Sequence, residues 1–179
     1  MKIQCLLTFS LFVVTTLSAQ ISFKVSLDNS GTYSVFFKSA IDIEKAMVAT
    51  SQVGLTAPKD KLEIIDIVSH NGYWRSRVDM VSGPVENKTT DYFWVGLQEW
   101  SKGRKPSSIK KGEELLLFTF KNALPCAGPV EIIQKDDPFN VIPNSYNNAA
   151  GNDFYVIDLE KKQFFNVDGV YGVGSTKCK

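Results

Sequence analysis

From Ile21 to Leu27 apolar residues hold every second position (Ile21, Phe23, Val25, Leu27), with Ser22, Lys24 and Ser26 between them. That two-residue period predicts a strand with one buried face. Asp28, Asn29, Ser30 and Gly31 then make a turn, and Tyr33, Val35 and Phe37 resume the alternation, so the first two strands should pair as a hairpin. Residues 47–56 alternate more weakly, with small side chains on both faces, and read as one strand ended by Pro58. Residues 62–68, LEIIDIV, are apolar and β-branched enough for a central strand, and residues 91–98, DYFWVGLQ, form an aromatic one. Residues 111–133 predict two buried strands joined by a turn of Pro125, Cys126 and Gly128, and further strands follow at 154–159 and 163–167. Only residues 40–46, AIDIEKA, are undecided between a helical turn and a loop. About nine short strands without a convincing helix predict an all-β chain, an antiparallel β-sandwich.

The first residues change the picture of where this sandwich works. Lys2, the apolar run Leu6 to Val14 and the exit Leu17, Ser18, Ala19 have the order of a secretory signal peptide, with cleavage expected after Ala19. The apolar run is shorter than the roughly 20 residues that span a bilayer. Residues 1–19 are therefore expected to be a leader and residues 20–179 a single domain, secreted or held at the cell surface, with no membrane span after cleavage. Removing the leader removes Cys5 and leaves Cys126 and Cys178. In an oxidising compartment the economical reading is one disulfide, worth about 3 to 4 kcal/mol in the chain-entropy model; two free thiols are the alternative. A formal net charge of +1 argues against nucleic acid as a partner, and a monomer is expected.

Four stretches carry a resemblance: NGYWRSRVDMVSGPVENKTTDYFWVGLQ, KGEELLLFTFKN, CAGPVEIIQKDDPFN, and NSYNNAAGNDFYVI followed by the terminal GVYGVGSTKC. Together they resemble a secreted β-sandwich domain usually found at the mature N-terminus of surface and secreted proteins in bacteria of the Bacteroidetes kind, itself distantly similar to cohesins and carbohydrate-binding modules. The resemblance implies cohesin-like or carbohydrate-binding-module-like architecture, a role in adhesion or recognition, and no catalytic residues.

Read residue by residue, the chemistry is sparse. His70 is the only histidine, and no G-x-S-x-G, H-E-x-x-H, C-x-x-C or P-loop pattern occurs. The chain is thus expected to be no enzyme and to need no cofactor; an extracellular hydrolase with a concealed site is the remoter alternative, and a structural surface component the nearer one. Trp74, Trp94 and Trp100 either stack on sugar faces or fill the space between sheets. Trp100, beside the basic loop, is the ring most expected to be exposed. Asp136, Asp137, Asn140 and Asp153 lie in an oxygen-rich insertion that suits a structural calcium by ligand type, although such loops are more often the turn chemistry of Asn and Asp. Carbohydrate and a cell-surface protein are the partners to be tested.

Overall fold

The structure, a computed structural model, describes residues 21–49, 51–99, 107–125, 127–147, 151–170 and Thr176. These residues form thirteen strands: β1 Ile21–Leu27, β2 Thr32–Ser39, β3 Ile43–Val48, β4 Gln52–Pro58, β5 Ile64–Ser69, β6 Tyr73–Trp74, β7 Asp79–Ser82, β8 Thr90–Glu99, β9 Ser107–Ile109, β10 Glu114–Asn122, β11 Glu131–Ile132, β12 Tyr155–Asp158 and β13 Gln163–Val170. They make two sheets. The larger runs β5-β10-β2-β1-β13-β12-β3-β9, and the smaller β11-β4-β8-β6, with β7 also paired to β8. Every pairing of named strands is antiparallel except β1 with β13, which is parallel. The all-β sandwich is thus present, with more and shorter strands than the nine expected.

The first hairpin follows its sequence closely, from Ile21 opposite Ser39 to Leu27 opposite Tyr33. Asp28 Oδ1 accepts the Ser30 and Thr32 amides and the Ser30 hydroxyl, and Gly31 takes φ 82°, so the turn is closed by the residues that predicted it. Phe23, Val35 and Phe37 of the larger sheet and Leu55, Phe93 and Val95 of the smaller are buried in one core. Phe154 lies against Phe23 and Phe37, with ring centroids at 5.2 and 5.3 Å.

Two expectations are corrected. Residues 47–56 are not one strand: β3 belongs to the larger sheet and β4 to the smaller, with Ala49 and Gln52 held by the carbonyls of Tyr155 and Asp153 as the chain changes sheet. A segment that leaves one sheet for the other has no single buried face, which is why both of its faces looked small. The run LEIIDIV is an edge, not a centre: among the described residues β5 pairs only with β10, and Val68 is 53% exposed. Asp66 at φ 52° and a register shift against β10 bulge this edge, which discourages edge-to-edge pairing. The two strands expected within residues 111–133 are both present, β10 in the larger sheet and the two-residue β11 in the smaller. A bulge between Leu116 and Phe118 lets the consecutive Leu117 and Phe118 both be buried. Cys126 and Cys178, the expected disulfide, lie outside the described residues.

Candidate functional site

The three tryptophans have different fates. Trp74 is 2% exposed; its ring sits 4.8 Å from that of Phe118 and 6.4 Å from that of Phe154, and its Nε1–H donates to the Asn71 carbonyl at 2.7 Å. Asn71 and Gly72, at φ 85°, form the turn that drops Trp74 inward. A ring so enclosed is core, and Trp74 is withdrawn from the ligand-binding set. Trp100 lies outside the described residues. Trp94 remains.

Trp94 stands on the outer face of the smaller sheet because residues along a strand alternate sides. Phe93, Val95 and Leu97 point into the sandwich core, leaving Tyr92, Trp94 and Gly96 outside. Residues 134–147 fold back over this outer face. Phe139 is buried there, with its centroid 4.7 Å from Tyr92 and 6.3 Å from Trp94, and the exposed Tyr146 meets it edge-on at 5.6 Å. The Tyr92 hydroxyl donates to Asp137 Oδ1 at 2.8 Å and accepts from Asn87 Nδ2 at 3.3 Å. Burial first, then this bond to a carboxylate, raises the Tyr92 pKa well above its usual value near 10.0. At the far end Glu86 accepts the Ser145 hydroxyl and amide, and the hydroxyl bond chiefly lowers the Glu86 pKa.

Trp94 is only partly covered by this flap. Its cross-strand neighbours are Gly54 on β4 and the exposed Asp79 on β7, and two residues along β8 a side chain at Gly96 would meet the aliphatic and guanidinium atoms of Arg75 at 3.5 to 3.9 Å. An indole flanked by two glycines, with a guanidinium and a carboxylate beside it, makes a shallow aromatic platform with hydrogen-bonding groups at its rim.

The proposed calcium residues serve the flap itself. Asp137 Oδ1 also accepts the Phe139 amide at 2.8 Å, and Asn140 Nδ2 donates to the carbonyls of Gln134 and Lys135. Asp136 is exposed, and Asp153 is bridged to Gln52 through the backbone. Among the described residues no three His, Cys, Asp or Glu side chains gather as a metal site would require. Asp137 and Asn140 are thus engaged as side-chain ties to the flap's own backbone.

A second surface was not anticipated. On the outer face of the larger sheet, Ile157 of β12 lies directly opposite Phe164 of β13 on one side and Met47 of β3 on the other. Phe164 is 72% exposed, and Tyr155 and Leu159, flanking Ile157 along the strand, are exposed too. The sequence held one signal for this. Phe164 and Phe165 are adjacent on a strand, so one of them must face out. The same logic applies to Phe36 and Phe37, but there the outward ring lies under the Lys24 ammonium, 4.9 Å from its centroid, and Lys24 is itself paired with Glu114. His70, the sole histidine, faces Thr119 Oγ1 at 3.4 Å in a strand-end turn. Among the described residues no helix is long and apolar enough to cross a membrane.

Compared with protein-family models, curated proteins and solved structures, the chain finds no match.

Proposed function

We propose that this chain acts after export as a non-catalytic recognition module, secreted or at the cell surface, that binds carbohydrate on the outer face of its smaller sheet. The observation that carries this reading is the Trp94 platform: a partly exposed indole between Gly54 and Gly96, with Arg75, Asp79 and the exposed Tyr146 around it. An indole face is apolar and electron-rich, so it stacks on the C–H face of a pyranose, while a guanidinium and a carboxylate each pair with vicinal hydroxyls. Export, the Cys126–Cys178 disulfide and the kinship with the Bacteroidetes-type domain belong to the same proposal. Thiol titration of the denatured protein tests the disulfide, and two reactive thiols would remove it.

The binding experiment is a glycan array followed by titration of tryptophan fluorescence. A hit should be weakened at least tenfold by Trp94→Ala, with no sugar released on prolonged incubation. Binding that survives Trp94→Ala would move the site elsewhere, and released sugar would replace the module by a hydrolase. A second reading, a structural surface component that meets protein neighbours, is favoured by the outward row of the exposed Phe164 and Met47 with the half-buried Ile157 between them. Copurifying chains without glycan binding would support it.

A further inference from the structure

β6 and β7 line one edge of β8 in succession, and the break between them is charged. Between the pairs Trp74–Leu97 and Asp79–Trp94 this edge carries residues 75–78 against only Val95 and Gly96 of β8. Such an insertion bends the strand and re-aims its side chains, and bulges are common beside active sites. Two links set its shape: the Arg75 amide donates to the Gly96 carbonyl at 2.9 Å, and Val78 packs against the core. Held at both ends, the bulge leaves Arg75, Ser76 and Arg77 exposed.

Arg75 leans over the platform. A Cβ added at Gly96, on the same face of β8 as Trp94, would stand 3.5 Å from its Cδ and 3.9 Å from its Cζ. Among the described residues neither the Arg75 nor the Arg77 guanidinium has a carboxylate at ion-pair distance. From this we infer that the platform selects acidic sugars: the pyranose stacks on Trp94, and Arg75 grips its carboxylate. The inference rests on the carbohydrate reading and gives it a ligand class.

Spacing and charge both suit a uronic acid. Residues 94 and 96 lie ~6.6–7 Å apart along β8, and a sugar centred on the indole reaches that far with its exocyclic carboxylate and a charge-assisted hydrogen bond of ~2.8 Å. A guanidinium presents parallel N–H groups that match the two oxygens of a carboxylate, and it is weakly hydrated, so it gives up water readily. A neutral sugar offers it hydroxyls alone, which is the weaker pairing. Asp79, exposed and opposite Trp94, accepts from sugar hydroxyls and repels further negative charge. Residues 75–79 thus hold two guanidiniums against one carboxylate, which fits one carboxylate per sugar better than dense sulfation.

Titration of tryptophan fluorescence with oligosaccharides of glucuronate, galacturonate and mannuronate, each beside its carboxyl-reduced counterpart, tests this, because reduction removes only the charge. At least one uronate should bind about tenfold more tightly than its reduced form, and the preference should shrink as salt is raised. Arg75→Gln should abolish the preference, Arg75→Lys should restore part of it, and Phe164→Ser, on the other sheet, should keep it in full. Thermal melts show whether each variant is folded. Equal affinity for a uronate and its reduced form, a preference that survives Arg75→Gln, tighter binding of heparin than of any uronate, or equal binding of oligoglutamate would each overturn the inference. Equal affinity leaves the carbohydrate reading standing, since sugar is still bound, whereas a chain that binds neither series removes both.

Discussion

The two outer faces of this sandwich solve the same problem in opposite ways. Each strand that buries one aromatic must turn its neighbour outward: Phe93 sends Tyr92 and Trp94 out on the smaller sheet, and Phe165 sends Phe164 out on the larger. Over Tyr92 the chain lays residues 134–147, brings Phe139 down onto the ring, and satisfies the phenol with Asp137 and Asn87. Over Phe164 none of the described residues folds back in this way, and the ring is mostly in solvent. A covered face stabilises the chain that covers it, whereas an uncovered one leaves its apolar area for whatever arrives from outside.

The sharpest way to break this contrast is Phe139→Ala. Phe139 is 1% exposed, and deleting a buried aromatic costs about 3 to 5 kcal/mol. The loss should appear as opening of residues 134–147, seen as faster amide exchange at Phe139 and Asn140, before global unfolding. Exchange that stays slow there would mean the flap is held by its polar ties alone. Next in size is Tyr92→Phe, which removes a bond to a carboxylate and should cost about 1.5 to 3 kcal/mol in denaturant unfolding. A neutral result would show that Asp137 is satisfied without it.

Smaller still are the pH effects. The Tyr92 pKa is raised on folding, so its contribution is complete below its unfolded value near 10.0 and is lost as pH rises above that. The Glu86 pKa is lowered, chiefly by the Ser145 hydroxyl, so its contribution is present above the usual 4.5 and is lost as pH falls through the folded value. Melting curves should show alkaline destabilisation that Tyr92→Phe lacks, and a difference between native chain and Glu86→Gln that closes on acidification. A Glu86→Gln difference that widens in acid would contradict the assignment. The smallest effect belongs to the bare face. At dilutions where the chain is monomeric, Phe164→Ser should change stability by no more than ~0.5 kcal/mol, and a loss comparable to that of Phe139→Ala would mean the two faces are not different after all.

Much of the framework was legible because alternation is a local signal. Ile21 to Phe37 announces its hairpin, and the aromatic strand around Trp94 and the block from Leu115 to Phe120 were placed where they are found. Alternation cannot say which of two bulky faces turns inward, so Tyr92 and Phe93 were equivalent until the sheets were assembled. Nor does it report what lies across a sheet. Trp74's place on a strand favoured the core, but the sequence could not name what it packs on, because its strand is two residues long and its partners, Phe118 and Phe154, are distant in sequence. The Asn- and Asp-rich insertion looked like a metal site for a related reason: the bond from Tyr92 to Asp137 spans 45 residues, and composition alone could not distinguish a ligand from a tie. The row through Ile157 was least visible of all, being built by strands from both ends of the chain.

The parallel pairing of β1 with β13 has a consequence in time rather than in space. Among the described residues, β3 and β9 are joined to β1 and β2 of the larger sheet only through β12 and β13, which follow all the other described strands in chain order. A nascent chain lacking that hairpin holds its sheet in two unconnected parts, and such long-range closure is slow. Closure of the larger sheet is thereby deferred until β13 has been made. Pulsed proteolysis of chains arrested before and after β13 would read the delay directly: protection arriving before β13 emerges would refute it.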